Sequence, residues 1–98
     1  MTIQMNKDAG KLSIALTGRL DTLTAPELES ALQENLGDVS ELTLDLAGLA
    51  YISSAGLRVL LTAQKRMNKQ GSMTLCNVNE TVMEVFTITG FCDILHIV

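Results

Sequence analysis

The chain has 98 residues, 47% of them hydrophobic and 18% charged, with seven Lys+Arg against eleven Asp+Glu for a formal net charge of −4. Such a composition suits one globular domain over residues 1–98 with a single core, and is too apolar for a disordered segment. The acidic balance argues against binding a phosphate backbone, which needs a basic face to release counterions, and is compatible with a basic or neutral protein partner.

Cys76 and Cys92 are the two cysteines. With no leader-like pattern in Met1–Asp8, they read as reduced, packed thiols of a cytoplasmic protein. No stretch approaches the ~20 apolar residues of a membrane span, so a soluble chain is expected.

Taken in order, Ile3 and Met5 alternate with Gln4 and Asn6, and Asp8-Ala9-Gly10 supplies turn chemistry. Leu12, Ile14 and Leu16 then alternate with Ser13, Ala15 and Thr17. A period of two on both sides of a turn predicts an antiparallel hairpin with one buried face. Gly18 is expected to end the second strand. A helix start follows: Thr24 as N-cap, Pro26 in the first turn, and Glu27 completing a Thr-x-x-Glu capping box. Leu28, Ala31, Leu32 and Leu36 keep helical spacing until Gly37.

Leu42, Leu44 and Leu46 alternate with Thr43 and Asp45 as a third strand, interrupted at Ala47-Gly48 before Tyr51-Ile52. Ser53-Ser54-Ala55-Gly56 forms the junction to a second helix, expected after Gly56, with Ser53 or Ser54 as its cap. Arg58, Thr62, Lys65, Arg66 and Lys69 share one face of it, while Leu57, Leu60, Leu61, Ala63 and Met67 fill the rest. Gln70-Gly71 closes the helix. Met73 to Cys76 predicts a fourth strand, and Asn79 caps a third helix that carries Val82, Val85 and Phe86 as far as Gly90. Ile94 to Val98 is an optional last edge strand.

The order ββαβαβα(β) defines an α/β fold with a mixed sheet, an N-terminal antiparallel hairpin followed by parallel βα units, covered by helices. In that topology the turns after strands two and three lie at the same end of the sheet. Gly18-Arg19-Leu20-Asp21 and Ser53-Ser54 therefore become neighbours.

Signatures of an enzyme are missing. His96 is the only histidine and no Cys/His spacing suggests zinc. Ser53-Ser54-Ala55-Gly56 lacks the first glycine of Gly-x-Ser-x-Gly, and neither glycine-rich phosphate-binding pattern occurs. Glu27/Glu29 and Glu41/Asp45 read as a solvated helix face and strand ends. No catalytic residue, cofactor or metal is expected. One serine is enough for a cap, so the second hydroxyl is left at a protruding turn among small residues, within reach of another protein's active site.

The segments Leu16–Asp21, Leu44–Leu57, Lys69–Gly71 and Val85–Gly90 together resemble a STAS domain of the bacterial anti-sigma factor antagonist type. The resemblance runs nearly end to end. It implies a partner switch: the unmodified protein binds an anti-sigma factor, itself a serine kinase of the histidine-kinase-like ATPase fold, and so frees a sigma factor. Phosphorylation ends that complex and a PP2C-type phosphatase restores it, with ATP carried by the kinase. The family's signature is Asp-Ser, a small residue and Gly-Leu, which places the modified serine at Ser54. Ser53 stands where the family commonly has Asp and is the second candidate.

Asp21 matches the family's acidic loop residue, and Arg58 lies one helical turn beyond Ser54, facing a phosphate or a partner carboxylate. The partner-binding set implied is Asp21, Thr22, Ser53, Ser54, Ala55, Gly56, Arg58 and Thr89. Two further readings are a STAS subunit that is never phosphorylated, such as the cytoplasmic regulatory subunit of a lipid-transport ABC system, and a nucleotide or small-ligand binder.

Overall fold

The structure, a computed structural model, describes residues 1–98. Strands β1 (Thr2–Asp8) and β2 (Lys11–Leu20) pair antiparallel from Asp8↔Lys11 to Thr2↔Thr17. Ala9 and Gly10 turn the chain between them with φ of 47° and 87°. Two consecutive positive φ values suit a two-residue hairpin because they match the right-handed twist of the strands. Strands β3 (Glu41–Ile52) and β4 (Ser72–Cys76) join in parallel, giving the sheet order β1-β2-β3-β4. Helices α1 (Ala25–Asn35) and α2 (Ser54–Gln70) make the two crossovers, and α3 (Glu80–Thr89) follows β4.

Alternation along the strands decides how the layers stack. Leu12, Ile14, Leu16 and Leu20 of β2, Leu42, Leu44, Leu46, Leu49 and Ile52 of β3, and Met73 and Leu75 of β4 are all buried. Opposite them lie Leu28 and Leu32 of α1, Leu57, Leu60, Ala63 and Met67 of α2, and Val82 and Phe86 of α3, in one core cluster. Between the buried strand positions, Ser13 and Thr17 are exposed and Thr43 and Thr74 half-buried. The helices thus cover one face of the sheet, as the expected helical cover allows, and leave the other bare. Parallel strands buried on both faces read as unbroken apolar runs; strands in which every second residue is Ser, Thr or Asp keep one face wet.

Two strand boundaries differ from the sequence reading for a single reason. Gly18 does not end β2, and Ala47-Gly48 does not interrupt β3. The pairs Ala15↔Asp45, Thr17↔Gly48, Gly18↔Leu49, Arg19↔Tyr51 and Leu20↔Ile52 contain two register shifts, each adding a residue to β3. These are bulges, and Gly18, with φ of 105°, takes a left-handed backbone conformation on β2 beside the second one. The buried positions of β3 record them: the spacing changes from two at Leu42, Leu44 and Leu46 to three at Leu49 and Ile52.

No strand forms over 94–98. After a 3₁₀ turn at Phe91–Asp93, Leu95 enters the core and the tail makes a single parallel bridge, Leu75↔Ile97. Leu75 donates to the His96 carbonyl at 2.9 Å and Val98 donates to the Leu75 carbonyl at 3.0 Å. With Leu95 committed to the core, too few residues remain for a ladder. Both cysteines are free thiols; Cys76 is half-buried, while Cys92 is exposed and not packed as expected. No helix is long and apolar enough to cross a membrane.

Candidate functional site

The parallel pairing of β2 and β3 brings Leu20 level with Ile52, and the Ser53 amide donates to the Leu20 carbonyl at 2.9 Å. The loops leaving the two strands are therefore stitched together, as the topology required. Helix α2 begins at Ser54, earlier than expected, with Ser53 as its N-cap at ψ 176°. The Ser53 hydroxyl accepts from the Gly56 amide at 3.5 Å, a long bond, and the Ser53 carbonyl accepts from Leu57 at 2.9 Å. Ser54 occupies the first helical position, where backbone N–H groups lack partners inside the helix. Its side chain is exposed.

Gly56 makes this entry possible. A Cβ there would sit 2.7 Å from Leu20 Cγ, 2.9 Å from Ile52 Cγ1 and 3.0 Å from the Leu20 carbonyl oxygen. Only a residue without a side chain lets the first turn of α2 rest directly on the ends of both strands.

The β2–α1 loop is built differently from the sequence expectation. The Thr24–Glu27 capping box does not form, since Thr24 already has helical angles (φ −98°, ψ −21°) and makes no side-chain cap bond. Its hydroxyl turns back to the strand instead, accepting from the Asp21 amide at 2.9 Å and donating to the Arg19 carbonyl at 2.7 Å. Asp21 closes the turn ahead of the helix instead. One carboxylate oxygen accepts from the Leu23 amide at 3.0 Å and the Thr24 amide at 3.1 Å, and the other lies 3.7 Å from Arg19 Nε. The Thr24 amide is the largest influence on this carboxyl. Helped by the Leu23 amide, the Thr24 hydroxyl and the Arg19 charge, it holds Asp21 below the usual aspartate range despite partial burial. Pro26 sits in the first turn as expected.

Most of the residues nominated from sequence come together. Asp21, Ser53, Ser54 and Gly56 cluster at the paired strand ends, and Thr22, Ala55 and Arg58 line one groove between α1 and α2 with Ala25, Pro26, Glu29 and Val59. Thr89 does not join them. Asn79, which caps α3 by accepting from Val82 at 2.9 Å, also donates to the Leu49 carbonyl at 2.6 Å and so anchors the helix start near this end of β3. The helix then runs back along the sheet for about 15 Å, so that the tail can return parallel to β4. Thr89 ends at the far side, with its hydroxyl donating to Val85 at 2.7 Å.

Leu23, Tyr51 and Arg19 also lie at this end, although none of them was among the nominated site residues. Leu23 is 86% exposed, held out by the turn that Asp21 caps, and Tyr51 is 37% exposed. Arg19 stacks its guanidinium 4.4 Å from the Tyr51 ring centroid, a contact set by the Arg19↔Tyr51 register. The available signal was Asp21 three residues before Thr24, a capping pattern in its own right.

The model of the STAS domain family matches residues 2–98. BtrV of Bordetella bronchiseptica, a candidate anti-sigma factor antagonist, is 40% identical over 100 residues, covering 99% of this chain and 85% of its own. The anti-sigma-B factor antagonist of Bacillus subtilis is 29% identical over 98 residues, covering 99% of this chain and 90% of its own. Among solved structures, an anti-sigma factor antagonist from Mycobacterium paratuberculosis superposes with a TM-score of 0.88 at 22% identity, over 98% of this chain and 83% of that one. The Bacillus cell fate determinant SpoIIAA in its phosphorylated form does so at 0.77 and 19% identity, over 99% and 91%. Those two structures share the fold.

Proposed function

The chain belongs to the STAS domain family, and we propose that it works as an anti-sigma factor antagonist whose docking is switched by phosphorylation of Ser54. In this reading the unmodified protein binds a cytoplasmic anti-sigma factor that is also a serine kinase of the histidine-kinase-like ATPase fold, and a sigma factor is released. The kinase brings the ATP, and a PP2C-type phosphatase resets the switch. The relatives named above favour this reading; an unphosphorylated transporter subunit draws no support from them.

One observation carries the choice of serine. Ser53 is half-buried and its hydroxyl serves the helix, whereas Ser54 is exposed and its hydroxyl has no partner within the protein. Phosphate adds about −1.5 to −2 charges. At the first position of α2 the helix dipole favours that charge by roughly 0.3–2 kcal/mol, so the fold tolerates the modification. At an interface the same group must be desolvated, and about 2.8 kcal/mol of lost affinity weakens a complex a hundredfold. The switch acts on binding and leaves folding alone. Asp21 contributes by shaping the neighbouring loop, its carboxylate being occupied by Leu23, Thr24 and Arg19.

The test is phosphate transfer from ATP by each anti-sigma factor kinase of the source bacterium in turn. Label is expected on Ser54, lost in Ser54→Ala and kept in Ser53→Ala. Ser54→Asp is expected to keep its circular dichroism spectrum and to bind the kinase at least tenfold more weakly. Label on Ser53, no label at all, or undiminished binding of Ser54→Asp counts against the proposal.

A further inference from the structure

The seven basic residues of the chain fall into two groups. Lys7, Lys11 and Arg19 each pair with a carboxylate of the same chain, Asp38, Glu41 and Asp21 respectively. Arg58, Lys65, Arg66 and Lys69 all lie on α2, and none of them forms an ion pair. Arg58, Lys65 and Lys69 are exposed, and Arg66 is half-buried. No Asp or Glu occurs in α2, nor anywhere from 46 to 79. Glu29 of α1 lines the grooves beside Arg58 and Arg66 without pairing with either.

The rest of the chain, with eleven carboxylates and three cations, carries −8 against the +4 of this one helix. Unpaired cations on one helix are a cost to it. Lys65 and Lys69 are one turn apart and repel, and Arg58 stands close to the positive end of the helix dipole. The ridge from Arg58 to Lys69 is about 16 Å long at 1.5 Å per residue, and it starts one turn beyond Ser54.

We propose that the outer face of α2 is the docking surface for an acidic patch on the anti-sigma factor. This rests on the antagonist reading above and adds the location and sign of the complementary surface. A discrete protein patch fits better than a uniform polyanion. Helix α1 packs alongside with Glu27, Glu29 and Glu34 and no cation, so a bilayer or duplex broad enough to cover α2 brings its own charges against these carboxylates. On this proposal the net charge of −4 is an average over one basic helix and an acidic remainder, and the surface that meets the partner is the basic one. A phosphate on Ser54 then does more than crowd the interface, because it neutralises the near end of the ridge at Arg58.

The experiment is stopped-flow association of the purified full chain with the anti-sigma factor kinase that labels it in the phosphate-transfer assay, at about 50 mM and about 500 mM NaCl. The variant is K65E/K69E, with both positions exposed and three or more turns from Ser54. Charge reversal is expected to slow association about tenfold in low salt and less than twofold in high salt, with the circular dichroism spectrum unchanged. Should K65E/K69E misfold, K65Q/K69Q decides, with about a threefold slowing expected. Equal rates for wild type and variant in low salt overturn the docking surface alone. Failure of the wild type to bind the kinase overturns the antagonist reading and this surface with it. Salt-sensitive binding of the wild type to phosphatidylglycerol vesicles or to duplex DNA, abolished in K65E/K69E, overturns the protein partner in favour of that polyanion.

Discussion

Replacing Gly56 by alanine isolates the contact that seats α2 on the sheet. The new Cβ lies 2.7 Å from Leu20 Cγ and 2.9 Å from Ile52 Cγ1, well inside the 3.5–4.0 Å at which carbon atoms attract. Neither neighbour has room to yield, since Leu20 is 0% and Ile52 2% exposed. The third close atom, the Leu20 carbonyl oxygen at 3.0 Å, is backbone and already accepts from the Ser53 amide. Alanine gains about 0.5–1 kcal/mol over glycine as a helix former. Overpacking costs about 1–3 kcal/mol and wins, leaving a net loss of roughly 1–2 kcal/mol. For a domain of this size that lowers the thermal midpoint by about 5–15 °C. Far-UV circular dichroism melts and urea titrations measure it, with the urea m-value expected to stay constant. Pairing the change with Leu20→Ala, which removes Leu20 Cγ, gives a double variant less destabilised than the sum of its parts. An unchanged or raised midpoint for Gly56→Ala refutes the close-packing argument.

Ser53→Ala is expected to cost about 0.5 kcal/mol, the low end for an N-cap, because its bond to Gly56 is 3.5 Å long; a loss above about 2 kcal/mol in urea unfolding contradicts that estimate. Asp21→Ala deprives the Leu23 and Thr24 amides of their acceptor, so hydrogen exchange at these two positions is expected to quicken while β3 is unaffected, and Asp21→Asn to quicken it less. Three aspartates sit below their ordinary value of 3.8: Asp21 chiefly through the Thr24 amide, Asp38 through Lys7, and Asp45 through the Ala47 amide. A depressed carboxyl favours the folded state above the unfolded value, and that contribution is lost as pH falls through the folded values. The urea midpoint is therefore expected to be flat from about pH 7 to 5 and to drop below about 3.8; a loss already complete at pH 5 refutes the assignment.

What the sequence revealed depended on whether the cause was local. The hairpin, the βα order and the Asn79 cap follow from alternation, spacing and capping chemistry within a few residues. Thr24 misled because its hydroxyl has two possible employments, and the path of β2, which brings the Arg19 carbonyl to it, chose the one that a local pattern cannot display. The β3 bulges escaped a fixed period of two, although the three-residue steps from Leu46 to Leu49 to Ile52 record them. At the site, the meeting of Asp21 with Ser53 and Ser54 came from topology, whereas Thr89 came from resemblance and α3 carries it away. The pairing of Lys7 and Lys11 with Asp38 and Glu41 joins positions 30 or more residues apart. The sequence put the four cations of α2 on one face, but without those long-range pairs nothing marked them as the unpaired ones.

A sheet roofed on one side only has a consequence for how copies of the molecule meet. Ser13, Thr17, Thr43 and Thr74 on the bare side hold water that two facing plates must shed before they touch. Exchanging such hydroxyls for valine suits strand geometry and leaves the monomer intact, yet turns the plate adhesive. Drift on that side is then limited by clumping as concentration rises, and static light scattering, not calorimetry, is where such changes register.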